Sequence, residues 1–210
     1  MALVDLSHTL GPGTPVFPGD PVVAMGDAGQ EPPWRVTALR LGTHSGTHMD
    51  AAAHFLTGGA TIDSYALERF VLECVVIHVT ASAGTALAWD DLAAGLPAEP
   101  AGRGVLLHTG WDAHFGTDEA WRHPYLSDDA AQRLAACGVG LVGTDAFNVD
   151  ASQGGSGTGV HAALLGADVL IVENLTDLDR LQGGTLYTCA FVPLKLAGCD
   201  GSPIRAFAWV

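Results

Sequence analysis

Three histidines and one aspartate fall within eleven residues and place the strongest constraint on how this chain can fold. They are His44, His48, Asp50 and His54, in the segment Leu41-Gly-Thr-His-Ser-Gly-Thr-His-Met-Asp-Ala-Ala-Ala-His-Phe55. All four positions have the same parity, so one extended strand would place them on a single face but spread them over roughly 33 Å. No single ion could contact all of them in that conformation. The chain must therefore bend between them.

Gly46 is where this bend costs least, because glycine adopts the dihedral angles of a tight turn without steric penalty. Beyond the bend, Asp50 followed by three alanines is typical of a helix start, with Asp50 as the N-cap and alanine as the strongest helix former. One helical turn would bring His54 close to Asp50. We therefore expect His44, His48 and Asp50 to be metal ligands and His54 to lie beside the metal, free to move protons.

The ligand types indicate what kind of metal site this is. Imidazole nitrogen and carboxylate oxygen together suit Zn²⁺, Mn²⁺ or Fe²⁺, whereas a thiolate-rich set indicates a structural zinc site. The segment contains no cysteine, which favours a catalytic site. A second cluster contains His161 and Glu173, the latter at the end of an apolar run. Taken alone, these two are equally well explained as a histidine at a helix start and a solvated carboxylate at a strand end.

Short apolar runs predict a chain rich in strands, and two of its helices have clear ends. The predicted strands cover residues 4–10, 35–41, 70–79, 104–108, 139–143, 169–172, 186–192 and 204–209. Helices are predicted at residues 128–137, between Ser127 as N-cap and Gly138, at 89–96 before Pro97, and at 161–165. Strands with intervening helices of modest length favour a mixed α/β fold on a curved sheet. The chain has no repeat or linker-like tract, which predicts one domain over residues 1–210.

The charge balance excludes several classes of partner. Lys and Arg number 9 against 23 Asp and Glu, for a formal net charge of −14, which repels phosphate backbones and anionic lipid surfaces. We expect no nucleic-acid partner, and no apolar run reaches membrane-spanning length. The four cysteines show neither disulfide nor zinc-site spacing. With no secretory signal visible, we expect reduced thiols and a cytoplasmic location.

The motifs resemble those of the cyclase-type metal-dependent hydrolase family, which includes bacterial kynurenine formamidase and isatin hydrolase. The family signature is matched by His44-Ser-Gly-Thr-His48-Met-Asp50 followed by His54-Phe55. Further matching segments run along most of the chain. They are Asp5-Leu-Ser-His8, Pro18-Gly-Asp20-Pro21, Thr109-Gly-Trp111, Gly143-Thr-Asp145, His161 with Glu173-Asn-Leu175, and Gly201-Ser-Pro-Ile-Arg205.

The resemblance implies a ligand set, a cofactor and a fold. His44, His48 and Asp50 would hold one metal ion, and Asp50, His161 and Glu173 a second, with Asp50 bridging. Zn²⁺ or Mn²⁺ is the implied cofactor, at one or two ions per subunit. The implied fold is a mixed, curved, barrel-like β-sheet with a small additional sheet and flanking helices, of the swivelling β/β/α type. Family members form homodimers or tetramers whose sites take residues from a neighbouring protomer.

The resemblance also implies that His54 and Glu173 are the catalytic groups. A divalent cation lowers the pKa of bound water from 15.7 to roughly 7. The hypothesis is that the resulting hydroxide attacks an amide, lactam or ester carbonyl, with His54 as general acid and base. Two positions depart from the family pattern. Ala52 replaces a usual proline, which predicts a slightly looser ligand turn, and Asn148 stands where serine is common, which bears on substrate identity.

N-formylkynurenine is the leading substrate under this resemblance, and the expected activity is that of an arylformamidase on a small molecule. An isatin-type cyclic amide, or a lactone or ester from a biosynthetic pathway, remains open within the same chemistry. An aryl substrate needs flat apolar walls. Candidates for these walls are Phe17, Trp34, Trp111 and Tyr125, and each is equally well explained as a core or interface aromatic.

A protein that binds a metal ion or a small molecule without turnover is the alternative class. His54 and Glu173 favour an enzyme, because a structural site needs no additional proton-transfer group. A serine hydrolase is disfavoured, since the chain has no G-x-S-x-G motif. The segment Gly154-Gly-Ser-Gly-Thr-Gly159 lacks the lysine of a phosphate-binding loop. We interpret it as a flexible loop near the site.

Overall fold

The computed structural model describes residues 2–153 and 157–210. Within these residues the strands are β1 (Leu3–Asp5), β2 (Ala24–Asp27), β3 (Thr37–Arg40), β4 (His48–Asp50), β5 (Val71–His78), β6 (Ala86–Leu87), β7 (Gly104–His108), β8 (Tyr125–Leu126), β9 (Leu141–Thr144), β10 (Leu170–Glu173), β11 (Leu186–Pro193) and β12 (Gly201–Trp209). The helices are α1 (Trp89–Leu92), α2 (Asp128–Ala136) and α3 (Gly159–Gly166), joined by short 3₁₀ turns that include Ala52–His54.

Strand pairing closes the main sheet into a barrel. The order is β12-β11-β5-β7-β9-β10-β4, and β4 pairs with β12 to complete the ring. The β5, β7, β9 and β10 neighbours are parallel, whereas the remaining pairs in the ring are antiparallel. The β1 strand extends the sheet beside β12, while β2–β3 and β6–β8 form two small sheets. The expected mixed α/β fold, with a barrel-like sheet, additional small sheet and flanking helices, is confirmed.

The parallel strands are buried on both faces. In β7, Leu106 belongs to the core inside the barrel, whereas Val105 and Leu107 belong to a second core outside it. Helices α2 and α3 cover this outer core with residues such as Leu134 and Leu164. Because both faces are apolar, these strands appear in sequence as continuous hydrophobic runs, which is why their prediction agrees with the structure to within a few residues.

Of the remaining elements, some agree with the sequence prediction and others differ from it for local physical reasons. The side chain of Ser127 caps α2, as predicted, by accepting a hydrogen bond from Ala130 N. The first strand is shorter than predicted and ends at Asp5. Neither β2 nor β4 is among the predicted strands. The four residues of β2, Ala-Met-Gly-Asp, are all exposed and include no strong β-former, and β4 spans only three residues.

The cysteines carry no cross-link. Cys74 and Cys189 are buried, Cys137 and Cys199 are half-buried, and all four are free thiols, as their spacing predicts. In the parts of the chain that the structure describes, no helix has both the length and the apolar character needed to cross a membrane.

Candidate active site

The site lies on the outer face of the barrel, where β4 and β10 run side by side. Met49 is fully buried in the interior core, so its neighbours His48 and Asp50 point to the opposite face, because successive residues of a strand alternate. In the antiparallel pairing, Glu173 lies opposite His48. The register therefore places one imidazole and two carboxylates on the same face.

The bend at Gly46 returns His44 to this face. Gly46 has a φ of +64°, a left-handed conformation that favours glycine, and a Cβ there would lie 3.1 Å from Leu10 Cδ1. The bend predicted at Gly46 from the sequence is therefore confirmed. It brings His44 Nδ1 to 2.6 Å from Asp50 Oδ1. Asn174 Nδ2 donates to Gly46 O at 3.2 Å and holds the turn against the end of β10.

Asp50 is a strand residue and not the helix N-cap that the following alanines predict. Its backbone pairs with β10 on one side and with β12 on the other, and this pairing overrides the local helix preference. The chain then makes a single 3₁₀ turn, Ala52–His54, with no side-chain cap. The turn still brings His54 beside the cluster, with its ring centroid 3.9 Å from that of His44 and 5.6 Å from that of His161.

Helix α3 delivers His161, and Asp150 fixes the start of this helix. One carboxylate oxygen of Asp150 accepts a hydrogen bond from Val160 N at 3.0 Å, and the other accepts from His161 N at 3.0 Å. The second oxygen also lies 2.6 Å from His161 Nδ1. Asp150 therefore sets both the helix start and the orientation of the imidazole. The sequence analysis missed Asp150, because it precedes its hydrogen-bond partner Val160 by ten positions.

Several nitrogen and oxygen atoms of the cluster have the spacing of metal ligands. The sets His44, His48, Asp50 and Asp50, His54, His161 are each grouped closely enough to hold an ion. His48 Nε2 lies 3.3 Å from Asp50 Oδ1 and 3.4 Å from Glu173 Oε2. His161 Nε2 lies 3.4 Å from Asp50 Oδ2 and 3.7 Å from Glu173 Oε1. Ligand atoms that share a tetrahedral ion at 2.0–2.2 Å are about 3.3 to 3.6 Å apart. These four residues are all buried, so the arrangement fits a divalent cation.

Hydrogen bonds to the second ring nitrogens support this fit. A carbonyl oxygen only accepts, so Gly46 O, 2.8 Å from His48 Nδ1, requires that Nδ1 carry the proton. In neutral His48 the lone pair on Nε2 then faces two carboxylates, which is unfavourable unless a cation lies between them. Asp50 Oδ2 is buried and has no hydrogen-bond partner among the residues that the structure describes, and such an atom needs an explanation. A bound cation would satisfy both groups.

The titration behaviour of the cluster shows how strongly it attracts positive charge. Burial alone would lower the pKa of His161, but Asp150, Asp50 and Glu173 outweigh it and raise the pKa to about 10. Burial would also lower the pKa of His44, but Asp50 and Asp200 outweigh this effect and raise the pKa to about 9. Burial and the charge of Asp50 raise the pKa of Glu173 to about 7. Without metal the cluster therefore retains protons, which a cation would displace on binding.

A cavity of about 230 Å³ opens onto the cluster. Phe17, Phe55 and Phe147 supply apolar surface, whereas Asp20 and Asn148 supply polar groups. His44, His48, His54, His161 and Glu173 also line it, as does Gly157. Of the Gly-rich segment interpreted as a loop near the site, residues 154–156 lie outside the described residues.

The four aromatic residues singled out from sequence lie in different places. Phe17 lines the cavity, but the other three do not. Trp34 is 73% exposed in the connection between β2 and β3. Trp111 begins a 3₁₀ turn and lies against His114, 4.6 Å between ring centroids. Tyr125 begins β8, which pairs with β6, and it lines a second cavity that shares Gly157 with the first.

Phe55, Phe147 and Asp200 belong to the site but were not singled out from the sequence. Phe55 directly follows His54, and its ring centroid lies 5.8 Å from that of His161, so the neighbouring motif was a usable signal. Phe147 follows β9 and packs on Trp121. Asp200 Oδ2 lies 3.1 Å from His44 Nε2, across 156 positions in sequence, which no local pattern could indicate.

Comparison with known proteins gives consistent matches over the whole chain. The family model described as "Putative cyclase" matches residues 4–151. The kynurenine formamidase of Paracidovorax citrulli is 35% identical over 218 residues, covering 97% of this chain and 94% of that protein. The kynurenine formamidase of Maricaulis maris is 36% identical over 207 residues, covering 96% of this chain and 95% of that protein.

Solved structures with the same fold include isatin hydrolases. One, bound to the product analogue thioisatinate, has a TM-score of 0.88 at 27% identity and covers 99% of this chain and 92% of its own. Isatin hydrolase A from Ralstonia solanacearum has a TM-score of 0.87 at 28% identity, with 99% of this chain and 91% of its own covered.

Proposed function

This chain belongs to the cyclase family of metal-dependent amide hydrolases, and from that premise we propose that it is an arylformamidase acting on N-formylkynurenine. The reaction would break the formyl C–N bond with water and release formate and an aryl amine. The observation that carries the proposal is the grouping of His48, Asp50, His161 and Glu173, all buried, beside an aromatic cavity. The kynurenine formamidase relatives support the choice of substrate.

We assign the metal ligands as His44, His48, Asp50, His161 and Glu173, holding one or two ions of Zn²⁺ or Mn²⁺. When bound, such a cation supplies Lewis acidity, which lowers the pKa of water and polarises a carbonyl. The chain supplies the rest of the site. Its buried imidazoles and carboxylates keep fixed orientations through hydrogen bonds to Gly46 O and Asp150.

His54 is the proposed proton carrier. It lines the cavity, and its side chain is 32% exposed, so it can reach both water and a bound substrate. As water attacks, a new C–O bond forms and His54 accepts the proton that water loses. When the formyl C–N bond breaks, His54 donates that proton to the leaving amine nitrogen. Glu173, in the same cavity, is the proposed second proton-transfer group.

The cavity walls bear on the substrate class. Phe17, Phe55 and Phe147 provide apolar surface on which an aryl ring could pack. Among the residues that line the cavity there is no Lys or Arg. This composition suits an aromatic amide, and it suits an isatin-type lactam equally well. The structural similarity to isatin hydrolases favours such a cyclic amide as the second candidate.

A substrate panel tests the proposal directly. The purified protein, loaded separately with Zn²⁺ and Mn²⁺, is assayed against N-formylkynurenine, isatin, an aryl ester and an aryl lactone, with a chelated sample as control. We expect the highest kcat/KM for N-formylkynurenine and loss of turnover on chelation. Higher kcat/KM for isatin would favour the second candidate. Bound metal with no turnover of any substrate would favour the non-catalytic alternative.

We also propose that the protein is a homodimer or homotetramer. Every residue of β2 and β3 is exposed, although an isolated two-stranded hairpin is only marginally stable in water. Trp34, Val36 and Leu39 on this hairpin are 73%, 49% and 60% exposed. Light scattering of the wild type and of Leu39→Lys would test this, and a monomeric wild type would refute it. The four free thiols support the reducing cytoplasm as its location.

A further inference from the structure

The carboxylate of Asp200 contacts the imidazoles of both His44 and His54, whose rings pack against each other. Asp200 Oδ2 is 3.1 Å from His44 Nε2 and 3.5 Å from His54 Nδ1. One of these imidazoles is a proposed metal ligand, and the other is the proposed proton carrier. A group that contacts both can influence metal binding and proton transfer together.

The contact to His44 determines which nitrogen of this ring faces the metal site. Nδ1 faces Asp50 at 2.6 Å, so Nε2 is the nitrogen on the far side of the ring. A carboxylate at Nε2 favours the tautomer with the proton on Nε2 and leaves the Nδ1 lone pair for a cation. Metal-binding histidines usually donate their second N–H to such a partner. For His48 this partner is Gly46 O, and for His161 it is Asp150. Asp200 is the corresponding partner of His44.

Asp200 is itself held in place from several directions. Thr43 Oγ1 donates to Asp200 Oδ1 at 2.9 Å, and Ala51 N donates to Asp200 O at 2.9 Å. The next residue, Gly201, begins β12 and pairs with Asp50. A Cβ on Gly201 would lie 2.8 Å from His44 Cε1, so the backbone here is packed directly against the His44 ring. The carboxylate is therefore fixed relative to β4.

We propose that Asp200 is a positioning residue that holds His44 in its metal-binding tautomer and orients His54 for proton transfer. With His54 Nδ1 turned towards Asp200, Nε2 is the nitrogen left to exchange protons with water and substrate. This inference rests on the proposed function for its His54 part. The His44 part depends only on metal binding.

The chain offers a matched control for the test. Asp63 also accepts a hydrogen bond from a threonine hydroxyl, Thr61 Oγ1, at 2.8 Å. Asp63 also accepts a hydrogen bond from Gly198 N, two residues before Asp200, at 3.0 Å. Replacing Asp63 by Asn removes the same charge a few residues from the site. Within the described part of the chain, none of the hydrogen bonds of Asp63 involves an imidazole.

The experiment compares Asp200→Asn, Asp200→Ala and Asp63→Asn with the wild type. Affinity for Zn²⁺ and Mn²⁺ is measured by competition with a chromogenic chelator, and kcat and KM for N-formylkynurenine are measured separately. Both Asp200 variants should lose metal affinity by about 10- to 100-fold, with Ala worse than Asn because Asn keeps one acceptor oxygen. At saturating metal, kcat should fall with KM little changed. Asp63→Asn should match the wild type in both measurements.

A second variant guards against misfolding of the Asp200 variants. Thr43→Val removes the hydroxyl that orients Asp200 and should cause a smaller loss in the same direction. Metal affinities of the Asp200 and Thr43 variants within twofold of the wild type would overturn the His44 part. Unchanged kcat at saturating metal would overturn the His54 part. If the wild type hydrolyses nothing on the panel, the proposed function fails, whereas the metal-affinity comparison still decides the role of Asp200 towards His44.

Discussion

At the scale of single residues, Asp50 explains why the cluster needs a cation. Its side chain is 1% exposed and contacts His44, His48 and His161. Burying a carboxylate costs several kcal/mol unless it is compensated. An imidazole nitrogen that donates a hydrogen bond to this carboxylate carries a proton, and that nitrogen then cannot bind metal. A divalent cation removes this conflict, because it allows neutral imidazoles and ionised carboxylates in the same small volume.

Replacing His54 tests the proton-transfer assignment. We expect His54→Gln to lower kcat by about 10²- to 10⁴-fold, the usual contribution of a positioned acid or base, with metal content unchanged. His114→Gln is a suitable control, because His114 packs on Trp111 outside the cavity. Steady-state kinetics and elemental analysis on both variants provide the measurement. A near-normal kcat in His54→Gln would remove this residue from the mechanism.

His123 gives a pH dependence of stability that is independent of the metal site. Burial lowers the pKa of His123 despite a hydrogen bond to Pro124 O, and Ser152 Oγ lies 2.7 Å from its Nε2. In the unfolded chain the imidazole takes up a proton below about pH 6.5, whereas in the fold it resists protonation. Its contribution to stability is therefore present above about pH 6.5 and is lost as the pH falls below that value.

Urea unfolding of the wild type and of His123→Gln checks this expectation. The free energy of unfolding of the wild type should decrease between pH 7.5 and pH 5.5 by more than that of the variant. Both samples should be in chelator so that metal release does not contribute. An equal decrease in the two proteins would mean that His123 is protonated as easily in the fold as in the unfolded chain.

At the scale of elements, two short segments set the geometry of the site. The three residues of β4 include two of the proposed ligands, and the first turn of α3 includes a third. Neither is stable alone, because helix nucleation is unfavourable and a strand needs partners. They are fixed by Asp150 at the helix start and by β10 and β12 beside the strand. The positions of these two segments are therefore set by tertiary contacts.

Asp150→Asn should disturb both the helix start and the ligand. An amide can present only one oxygen, so its NH₂ group would face either Val160 N–H or the two donors of His161. We expect a loss of about 0.5 to 2 kcal/mol in the free energy of unfolding, as for other helix caps, and about 10- to 100-fold weaker metal binding. Asp129→Asn, on the exposed face of α2, should change both by far less. Wild-type values in Asp150→Asn would show that His161 is oriented by other contacts.

The difference between local patterns and tertiary contacts decides what the sequence could predict. The strands β5, β7, β9, β10 and β11 and the helix α2 follow from local patterns of apolar residues and caps. The Gly46 bend follows from glycine next to closely spaced ligands. The strand character of Asp50 did not follow, because three alanines favour a helix and only pairing with distant strands overrides them. Asp150 and Asp200 lie 11 and 156 positions from their histidines and have no local signal.

At the scale of the whole molecule, the metal site joins parts of the chain that are distant in sequence. The proposed ligands come from the Gly46 turn, from β4, from α3 and from β10, and the last three elements also contribute to the two cores. Binding a cation at this junction stabilises only the folded state, in which the ligands are together. The effect of a ligand on stability then follows from its concentration and affinity.

Metal removal should therefore lower the thermal stability of the protein. At a free cation concentration of 100 times Kd, bound metal adds about 2.7 kcal/mol to the free energy of unfolding. For a chain of this size that corresponds to a rise in Tm of about 5 to 10 °C. Differential scanning calorimetry with and without chelator measures it, and His161→Ala should respond much less to chelator than the wild type. Identical melting of metal-loaded and chelated wild type would contradict a site built into the fold.

The position of β4 in the ring has one more consequence, which concerns errors in assembly. This strand is the segment that joins β10 to β12 and so completes the barrel. If β4 paired with its neighbours in a register shifted by one residue, Met49 would face outwards while His48 and Asp50 would enter the apolar interior. Burial of those two groups without partners is so unfavourable that the misaligned state is rejected. The two proposed metal ligands on β4 thus also favour correct closure of the barrel, so we expect the site and the barrel to be lost together when this strand changes length.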